Sequence, residues 1–208
     1  MEQQSIYGNY IYSLENIAEN LENKIKFFSD QNYENRGYKL YEHLSKRVKS
    51  EESMREKCIR KNLPQTSYSA LHEIKDSIGI RIVCSFLDDI YENIENIKKL
   101  QGCKVVKEKD YIKHAKPNGY RSYHMILEVE TPFKDVTGKI PGTFYAEIQL
   151  RTIAMDSWAS LEHQLKYKKN IKNQDLIVNE LKRCADELAS CDLSMQTIRD
   201  LMSEDRKD

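Results

Sequence analysis

An aspartate and an arginine that frame a short apolar stretch are the first sign of chemistry in this 208-residue chain. Asp76 comes just before residues 78–86, which are nearly all apolar and β-branched, and Arg81 interrupts them. Such a stretch predicts a buried strand. Because burying an unpaired guanidinium costs free energy, Arg81 needs an anion or an aromatic ring beside it.

Two further polar clusters point in the same direction. Residues 116–124, which read KPNGYRSYH, contain a Pro-Asn-Gly turn signal followed by aromatic and basic side chains. Residues 144–151 alternate apolar and polar side chains, which places Glu147, Gln149 and Arg151 on one face of a predicted strand.

Together the three clusters supply what phosphoryl transfer requires. They offer two spaced acids for a metal and a base, several cations for phosphates, and an aromatic platform for a nucleobase. Each piece alone is weak, since an aspartate before a strand is more often a cap and a tyrosine after Asn-Gly more often a turn residue. Competing signatures fail: the sequence has no Walker A, GxGxxG or GxSxG pattern, and no histidine is followed by aspartate.

The charge distribution favours an anionic substrate over bulk nucleic-acid binding. The chain has 33 basic and 33 acidic residues, which excludes a globally basic protein. Residues 43–81 nevertheless hold nine basic against five acidic residues, and residues 104–124 hold six against two. Two cationic walls facing one cleft would suit a polyanion. Two solvated surface faces are the alternative interpretation.

The composition indicates a globular protein. Only seven Gly and four Pro are present, which excludes collagen-like and Pro-rich disordered classes. No apolar run reaches the length of a membrane span, and the first 21 residues lack the basic and apolar regions of a secretory signal. Five cysteines without a CxxC pattern argue against a disulfide scaffold or a zinc knuckle. We therefore expect a reduced, cytoplasmic protein with no membrane partner.

Periodicity predicts helices, then strands mixed with helices, then helices. The predicted helices cover residues 7–28, about 33–44, 50–63, 87–100, 152–166 and 174–203. The predicted strands cover residues 78–86, 103–107, 122–131 and 144–151. This order is typical of one α/β domain with helical extensions.

The last predicted helix carries a long apolar seam of the kind that packs against another helix. Its members are Ile177, Leu181, Cys184, Leu188, Cys191, Met195, Ile198 and Met202. The seam could cover the protein's own core or a second subunit, and the sequence leaves both interpretations open. We predict a homo-oligomer, since open apolar stripes on a monomer are unfavourable.

Four stretches, in this order and spacing, resemble the synthetase domain of the RelA/SpoT family. They read RVKSEESMREK, IKDSIGIRIVCSF, KPNGYRSYH and AEIQLRTIAMDSWASLEHQLKYK, and the resemblance covers about residues 40–170. With no hydrolase, TGS or ACT region in the sequence, the chain is similar to a stand-alone small alarmone synthetase. The resemblance implies an α/β (α+β) fold, a mixed β-sheet flanked by helices and related to nucleotidyltransferases. It divides the chain into an N-terminal helical extension (1–40), a synthetase domain (41–170) and a C-terminal oligomerisation helix (171–208).

The resemblance also implies an activity. The β,γ-pyrophosphate of ATP would pass to the ribose 3′-hydroxyl of GTP or GDP, giving (p)ppGpp and AMP with Mg²⁺ as cofactor. ATP and GTP or GDP would be the partners of a homotetramer, and a regulatory nucleotide or single-stranded RNA is a further candidate. A non-catalytic nucleotide or RNA sensor is the alternative function, but a sensor would not need a metal-binding acid and a base together. A purely helical assembly protein would leave the central clusters unexplained.

On the ATP side, the family pattern assigns five residues. Arg47 and Arg81 would sandwich the adenine, Lys49 and Lys57 would hold the phosphates, and Asp76 would bind Mg²⁺.

On the acceptor side, Tyr120 would stack on guanine, and Glu147 would orient or deprotonate the 3′-hydroxyl and share the metal. The residues expected around the acceptor phosphates and ribose are Lys109, Lys116, His124 and Gln149. Position 109 departs from the family pattern, where many members have arginine. A lysine at this position offers a compact ammonium charge in place of the planar guanidinium group of arginine, which can bind phosphate through two nitrogens. The preferred number of acceptor phosphates therefore stays open.

Overall fold

A five-stranded mixed β-sheet forms the centre of the computed structural model, which describes residues 4–166 and 173–204. The strands are β1 (His43–Val48), β2 (Ile78–Cys84), β3 (Cys103–Asp110), β4 (Tyr123–Thr131) and β5 (Gly142–Thr152). Their order across the sheet is β1-β2-β5-β4-β3. The β2–β5 pair is parallel and the other three pairs are antiparallel. The predicted mixed sheet flanked by helices is confirmed.

In the described part of the chain, five α-helices surround the sheet. They are α1 (Ile11–Arg36), α2 (Glu51–Arg60), α3 (Leu87–Lys98), α4 (Ile153–Lys166) and α5 (Gln174–Glu204). A short 3₁₀ turn (Gly8–Tyr10) precedes α1, and a single π-helical turn (Ser69–Glu73) lies between α2 and β2. The start of α2 follows the sequence prediction, because the backbone N–H of Ser53 donates to the Ser50 hydroxyl at 3.3 Å, an N-cap.

Strand alternation gives the sheet one apolar and one polar face. In β2, Ile78 and Ile80 are fully buried in the core that α1 and α3 help to form, whereas Arg81 lies on the opposite face. The parallel strand β5 repeats this alternation and places Glu147 and Gln149 on the same face as Arg81. The polar face is therefore where functional side chains collect.

The segment that leads into β1 differs from the sequence prediction. The expected break near residue 29 and the second helix over 33–44 are wrong: α1 continues to residue 36 and residues 43–48 form β1. Ser29 and Asn32 fit inside the helix because they face inward and bond to the backbone of the returning chain. The helix ends at Gly37, whose φ of 79° is the left-handed conformation that glycine tolerates. The consequence is an extra edge strand that carries Arg47 into the sheet.

The apolar seam of α5 divides into two parts. Leu181 and Leu188 pack with the buried Trp158 inside this chain. Farther along the helix, Met195 and Ile198 are about half exposed. The first part of the seam therefore covers the protein's own core, and the second part remains open.

The helix α1 belongs to the main core, since Leu14, Leu21 and Ile25 on its inner face are buried with the strands. The domain boundary expected between residues 170 and 171 lies outside the described residues. Within residues 4–166 and 173–204, no helix combines the length and the apolarity needed to cross a membrane.

Candidate active site

Two adjoining cavities on the polar face of the sheet share Asp76 and Glu147 as lining residues. The larger cavity has a volume of about 530 Å³ and the smaller about 170 Å³. Predicted site residues in the larger cavity are Lys57, Lys109, Lys116 and His124. Those in the smaller cavity are Arg47, Lys49, Arg81 and Gln149. Ten of the eleven predicted site residues thus line the two cavities, and Tyr120 is the exception.

Asp76 is held by two lysines from different elements. Lys49 follows the end of β1, and its Nζ lies 2.8 Å from Asp76 Oδ2. Lys57, on α2, forms an ion pair with the same oxygen. The backbone N–H of Lys49 donates to the Ser77 carbonyl at 2.8 Å, which fixes the end of β1 beside the start of β2. The side chains are mostly buried, so solvent screens this triad less than a surface pair.

The other carboxylate oxygen of Asp76, Oδ1, lacks a hydrogen-bond partner in the described part of the chain. This oxygen is buried, and buried carboxylate oxygens are normally paired. Within the described ranges, no cluster of three or more His, Cys, Asp or Glu could hold a metal by itself. Mg²⁺ is often bound by one or two carboxylates together with substrate phosphates. Asp76 and Glu147 fit that requirement.

The floor of the smaller cavity is formed by β1 and β2. Arg47 and Gly79 are direct partners across this antiparallel pair, and the Arg47 side chain lies over the glycine. Arg81 extends from the next outward-facing position of β2. Its Nε is buried without a hydrogen-bond partner in the described chain. Burial and the nearby charge of Arg151 lower the pKa of Arg81, and Asp156 opposes that shift.

Glu147 ends a chain of hydrogen bonds across β5 and β4. The Nδ1 of His124 lies 3.2 Å from Glu147 Oε1, and Gln149 Nε2 donates to Oε2 at 2.8 Å. Burial raises the pKa of Glu147. Four opposing effects are stronger and lower this pKa to about 2: the hydrogen bond and the charge of His124, the hydrogen bond from Gln149 and the charge of Lys57. Glu147 is therefore an anion at neutral pH and a weak base.

Tyr120 connects to this chain through its hydroxyl. The hydroxyl lies 2.7 Å from His124 Nε2 and accepts a bond from the Arg151 guanidinium at 2.9 Å. Since a carboxylate only accepts, Nδ1 of His124 donates to Glu147. When the imidazole is neutral, its Nε2 accepts from the Tyr120 hydroxyl, and one donor order then runs from Arg151 through Tyr120 and His124 to Glu147.

A tight turn presents Tyr120. Gly119 closes the turn by donating its N–H to the Lys116 carbonyl at 2.8 Å, with a φ of 90°. A Cβ at this position would lie 2.6 Å from the Ala185 Cβ on α5, so only glycine fits. Arg121 ties the same loop to α5 through Asp186 at 3.0 Å.

The ring of Tyr120 already has cationic neighbours. Lys116 Nζ lies 4.5 Å from the ring centroid, and the Arg151 guanidinium lies 5.4 Å from it. A base that stacks on this ring therefore competes with a cation for a ring face.

Sequence reasoning assigned no role to three residues of the site. Tyr111 lines the larger cavity with its ring 5.4 Å from that of His124, but its position in a polar segment gave no signal. Arg151 shares the polar face of β5 with Glu147, as the alternation predicted, but its partners could not be predicted from that pattern. Asp156, in the first turn of α4, binds Arg151 at 2.8 Å and Arg81 at 3.5 Å, contacts that sequence spacing does not reveal.

Comparison with known proteins places this geometry in a family. Residues 46–172 match the model of a region found in RelA/SpoT proteins. The chain is 41% identical over 166 residues to the GTP pyrophosphokinase YwaC of Bacillus subtilis, covering 80% of this chain and 77% of that protein.

Solved structures agree with the sequence comparison. The small alarmone synthetase 2 from Bacillus subtilis superposes with a TM-score of 0.78 and 37% identity, over 92% of this chain and 97% of that one. The small alarmone synthetase 1 from Bacillus subtilis, bound to its product pppGpp, gives a TM-score of 0.81 and 30% identity, over 93% and 96% of the two chains. The chain therefore belongs to the RelA/SpoT family.

Proposed function

We propose that this chain is a GTP/GDP diphosphokinase that makes (p)ppGpp. The ribose 3′-oxygen of GTP or GDP attacks the β-phosphorus of ATP, the bond from that phosphorus to the α,β-bridging oxygen breaks, and AMP leaves. The hydroxyl proton is lost as the new phosphorus–oxygen bond forms. The observation that carries the proposal is that two cation-lined cavities meet at the same two carboxylates.

ATP takes the smaller cavity in this proposal. Arg47 and Arg81 bracket the adenine there. Lys49 of the smaller cavity and Lys57 of the larger one hold the phosphates at the boundary between the two cavities. Both lysines already face an anion, Asp76. When ATP binds, each lysine exchanges the Asp76 carboxylate for phosphate oxygens. The lysine side chains are therefore already ordered before ATP binds. Asp76 and Glu147 would hold Mg²⁺, which supplies charge neutralisation on the phosphates.

The acceptor takes the larger cavity. Lys109 and Lys116 offer charge to its phosphates, and the guanine displaces Lys116 from the Tyr120 ring. Glu147 accepts a hydrogen bond from the 3′-hydroxyl and orients it. With a pKa of about 2, its carboxylate positions the hydroxyl more than it deprotonates it, because an effective general base titrates near the working pH.

A direct assay tests this function. The purified chain is incubated with ATP, Mg²⁺ and one of GMP, GDP or GTP in parallel, and nucleotides are separated by anion exchange. We expect AMP and a 3′-pyrophosphorylated guanosine nucleotide in equal amounts. Binding of both nucleotides without AMP formation would favour the sensor alternative. Production of ADP, or of AMP without a guanosine product, would contradict the proposed transfer.

Assembly into a homotetramer is a further part of the proposal. The exposed part of the α5 seam, with Met195 and Ile198, supports it. Light scattering coupled to size exclusion should give a multiple of 24.5 kDa, and Met195→Glu with Ile198→Glu should reduce it. Ser190→Glu, at an exposed position off the seam, is the matched control. A wild-type monomer at micromolar concentration would contradict oligomerisation.

The remaining proposals rest on the sequence. We place the N-terminal helical extension at residues 1–40, the synthetase domain at 41–170 and the C-terminal helix at 171–208, in the cytoplasm. A regulatory nucleotide or single-stranded RNA is a second ligand class that the same purified protein can be tested for by direct binding.

A further inference from the structure

The start of α4 and the end of β5 hold a partly buried charge cluster that includes Arg81 of the smaller cavity. Arg151, the penultimate residue of β5, has a side chain that is only 7% exposed. Asp156 lies one turn into α4 and faces Arg151 and Arg81 together. Neither Arg151 nor Asp156 lines the two cavities, and the partners of both lie within the protein.

All three guanidinium nitrogens of Arg151, which form a planar fork of donors, hydrogen-bond to other groups of the protein. One terminal nitrogen donates to Asp156 at 2.8 Å. The other donates to the Tyr120 hydroxyl at 2.9 Å and to Gln149 Oε1 at 3.2 Å, and Nε reaches the Ser122 hydroxyl at 3.4 Å. A fork with this many partners fixes the position of each of them, which a lysine could not reproduce.

Asp156 extends this arrangement to the ATP side. Its Oδ1 lies 3.5 Å from the Arg81 guanidinium and 2.8 Å from that of Arg151. Two guanidinium groups so close together repel each other. The carboxylate between them is what allows Arg81 and Arg151 to remain side by side.

We propose that Asp156 is a shared positioning residue, which holds Arg81 for the donor nucleotide and, through Arg151, holds Tyr120 for the acceptor. This inference rests on the proposed function, since it assigns Arg81 and Tyr120 to the two nucleotides. It adds to that function one carboxylate on which the geometry of both subsites depends.

Substitutions of Asp156 and of Arg151 should differ in which nucleotide-binding sites they affect. Asp156→Asn keeps the shape of the side chain but removes the charge between the arginines, so Arg81 and Arg151 both lose their restraint. Arg151→Lys keeps a cation beside Asp156 but gives up the fork, so the loss falls on the Tyr120 side. Loss of a shared restraint of this kind changes affinity by about 5- to 150-fold.

Nucleotide binding, measured by calorimetry, tests the proposal. The donor probe is a non-hydrolysable ATP analogue with a methylene group between the α- and β-phosphates, and the acceptor probe is GDP. We expect Asp156→Asn to weaken both by about tenfold, and Arg151→Lys to weaken GDP by a similar factor with less than a twofold change for the ATP analogue. Unchanged binding of either probe by Asp156→Asn, or of GDP by Arg151→Lys, would overturn the proposal.

A purely structural role of the pair is separated by stability and by a matched control. The structural role predicts a lower melting temperature, with the surviving folded protein binding both probes normally, and that outcome also overturns positioning. The control is a partly exposed pair that joins α1 to α3 and lines neither cavity, Arg36 and Glu92, which lie 2.9 Å apart. Arg36→Lys and Glu92→Gln should leave both affinities unchanged.

A double variant sharpens the acceptor-side claim. If Arg151 acts through the Tyr120 hydroxyl, then Tyr120→Phe and Arg151→Lys remove the same interaction, and their combined effect on GDP binding should be smaller than the product of the single effects. Full additivity would show that Arg151 does not act through that hydroxyl. Since all these measurements are of binding, they remain decisive for the positioning role even if the turnover assay fails and the proposed transfer is wrong.

Discussion

The two cavities share their acids but are held together by different kinds of contact. The smaller one is held at its boundary with the larger one by ion pairs, in which Lys49 and Lys57 converge on one oxygen of the shared Asp76. The larger one depends on directed hydrogen bonds that run from Tyr120 through His124 to Glu147. The ion pairs keep two lysine ammonium groups next to a carboxylate. The hydrogen bonds fix the orientation of the His124 ring and the Glu147 carboxylate.

This difference matches what each nucleotide must do in the proposed reaction. The donor brings three phosphates, and a cation paired with a carboxylate can exchange that carboxylate for a phosphate oxygen with little reorganisation. The acceptor must present one hydroxyl in line with the β-phosphorus, which demands a fixed direction more than charge. The acceptor side has an additional support, because α5 packs against the loop that holds Tyr120.

The largest effect should come from the two acids where the cavities meet. Asp76→Asn and Glu147→Gln should each lower turnover by at least about 10²-fold, since metal binding and orientation of the attacking hydroxyl both depend on them. Turnover is measured as AMP released from ATP in the presence of GDP. Glu92→Gln, which removes a carboxylate far from the cavities, should retain full activity.

The same two variants should separate in ATP binding. Glu147→Gln should bind the non-hydrolysable ATP analogue with near wild-type affinity. Without metal, Asp76→Asn should bind it more tightly than wild type, because the substitution removes a carboxylate that competes with phosphate for Lys49 and Lys57. Near wild-type turnover in either variant, with an unchanged melting temperature, would show that the acid in question only forms ion pairs and has no role in the reaction.

The next largest effect tests orientation on the acceptor side. Tyr120→Ala should weaken use of GDP by roughly 10- to 100-fold, the value of one base–aromatic stack. Tyr120→Phe keeps the ring but loses the bonds to His124 and Arg151, so we expect an intermediate loss of about tenfold, as for two hydrogen bonds. The measurement is kcat/KM for GDP at saturating ATP. If the two variants are equally poor, the hydroxyl and not the ring carries the role.

The comparison also shows what the sequence could reveal. Alternation in β5 predicted that Glu147 and Gln149 share a face, and the apolar stretch around Arg81 predicted β2, because these are local patterns with a period of two. The cap at Ser50 was equally local. Most of the residues expected on the acceptor side lie on β4, on β5 or in one turn, so local patterns could locate their elements. Their roles stay predictions.

The donor side was harder to predict because it depends on pairing between distant segments. The strand β1 has polar residues on both faces, as an edge strand can. Periodicity favoured a helix that ended at Leu44, the second residue of β1, and predicted no strand after it. Lys49 and Asp76 meet only because β1 pairs with β2. The contact of Asp156 with Arg81 likewise joins the start of a helix to a strand that is not adjacent in sequence. Such contacts follow from tertiary packing and leave no local pattern.

A smaller effect should follow from loosening the brace between α5 and the acceptor loop. Arg121 donates to the carbonyls of Gly119 and Ala185 and pairs with Asp186. Arg121→Ala should raise KM for GDP by about three- to tenfold, as one charge-assisted hydrogen bond would, and leave KM for ATP unchanged. Arg183→Ala, an exposed arginine of α5 with partners on its own helix, is the control. An equal rise in both KM values would mean that the brace supports the whole site.

The smallest effect concerns the choice of acceptor and rests on Lys109. This residue lies opposite His124 across the β3–β4 pair and lines the larger cavity, with its Nζ 5.7 Å from the centre of the Tyr111 ring. A lysine offers one mobile point of charge, whereas arginine offers a planar fork that binds phosphate in two places. Lys109→Arg should therefore favour the acceptor with more phosphates and raise the ratio of kcat/KM for GTP over GDP by about fivefold, near 1 kcal/mol.

Competition between GTP and GDP at equal concentrations measures that ratio directly, since both products form in one tube and any change in the amount of active enzyme cancels. Lys104→Arg makes the same substitution on β3 at a position outside the larger cavity, and the ratio there should stay at the wild-type value. A gain of equal size for GMP, GDP and GTP would place residue 109 near the ribose or the base, because only contact with the 5′-phosphates depends on how many there are. An unchanged ratio would remove Lys109 from the acceptor site, and the choice among acceptors would then have to come from Lys116 or from the lysines on the opposite wall of the cavity.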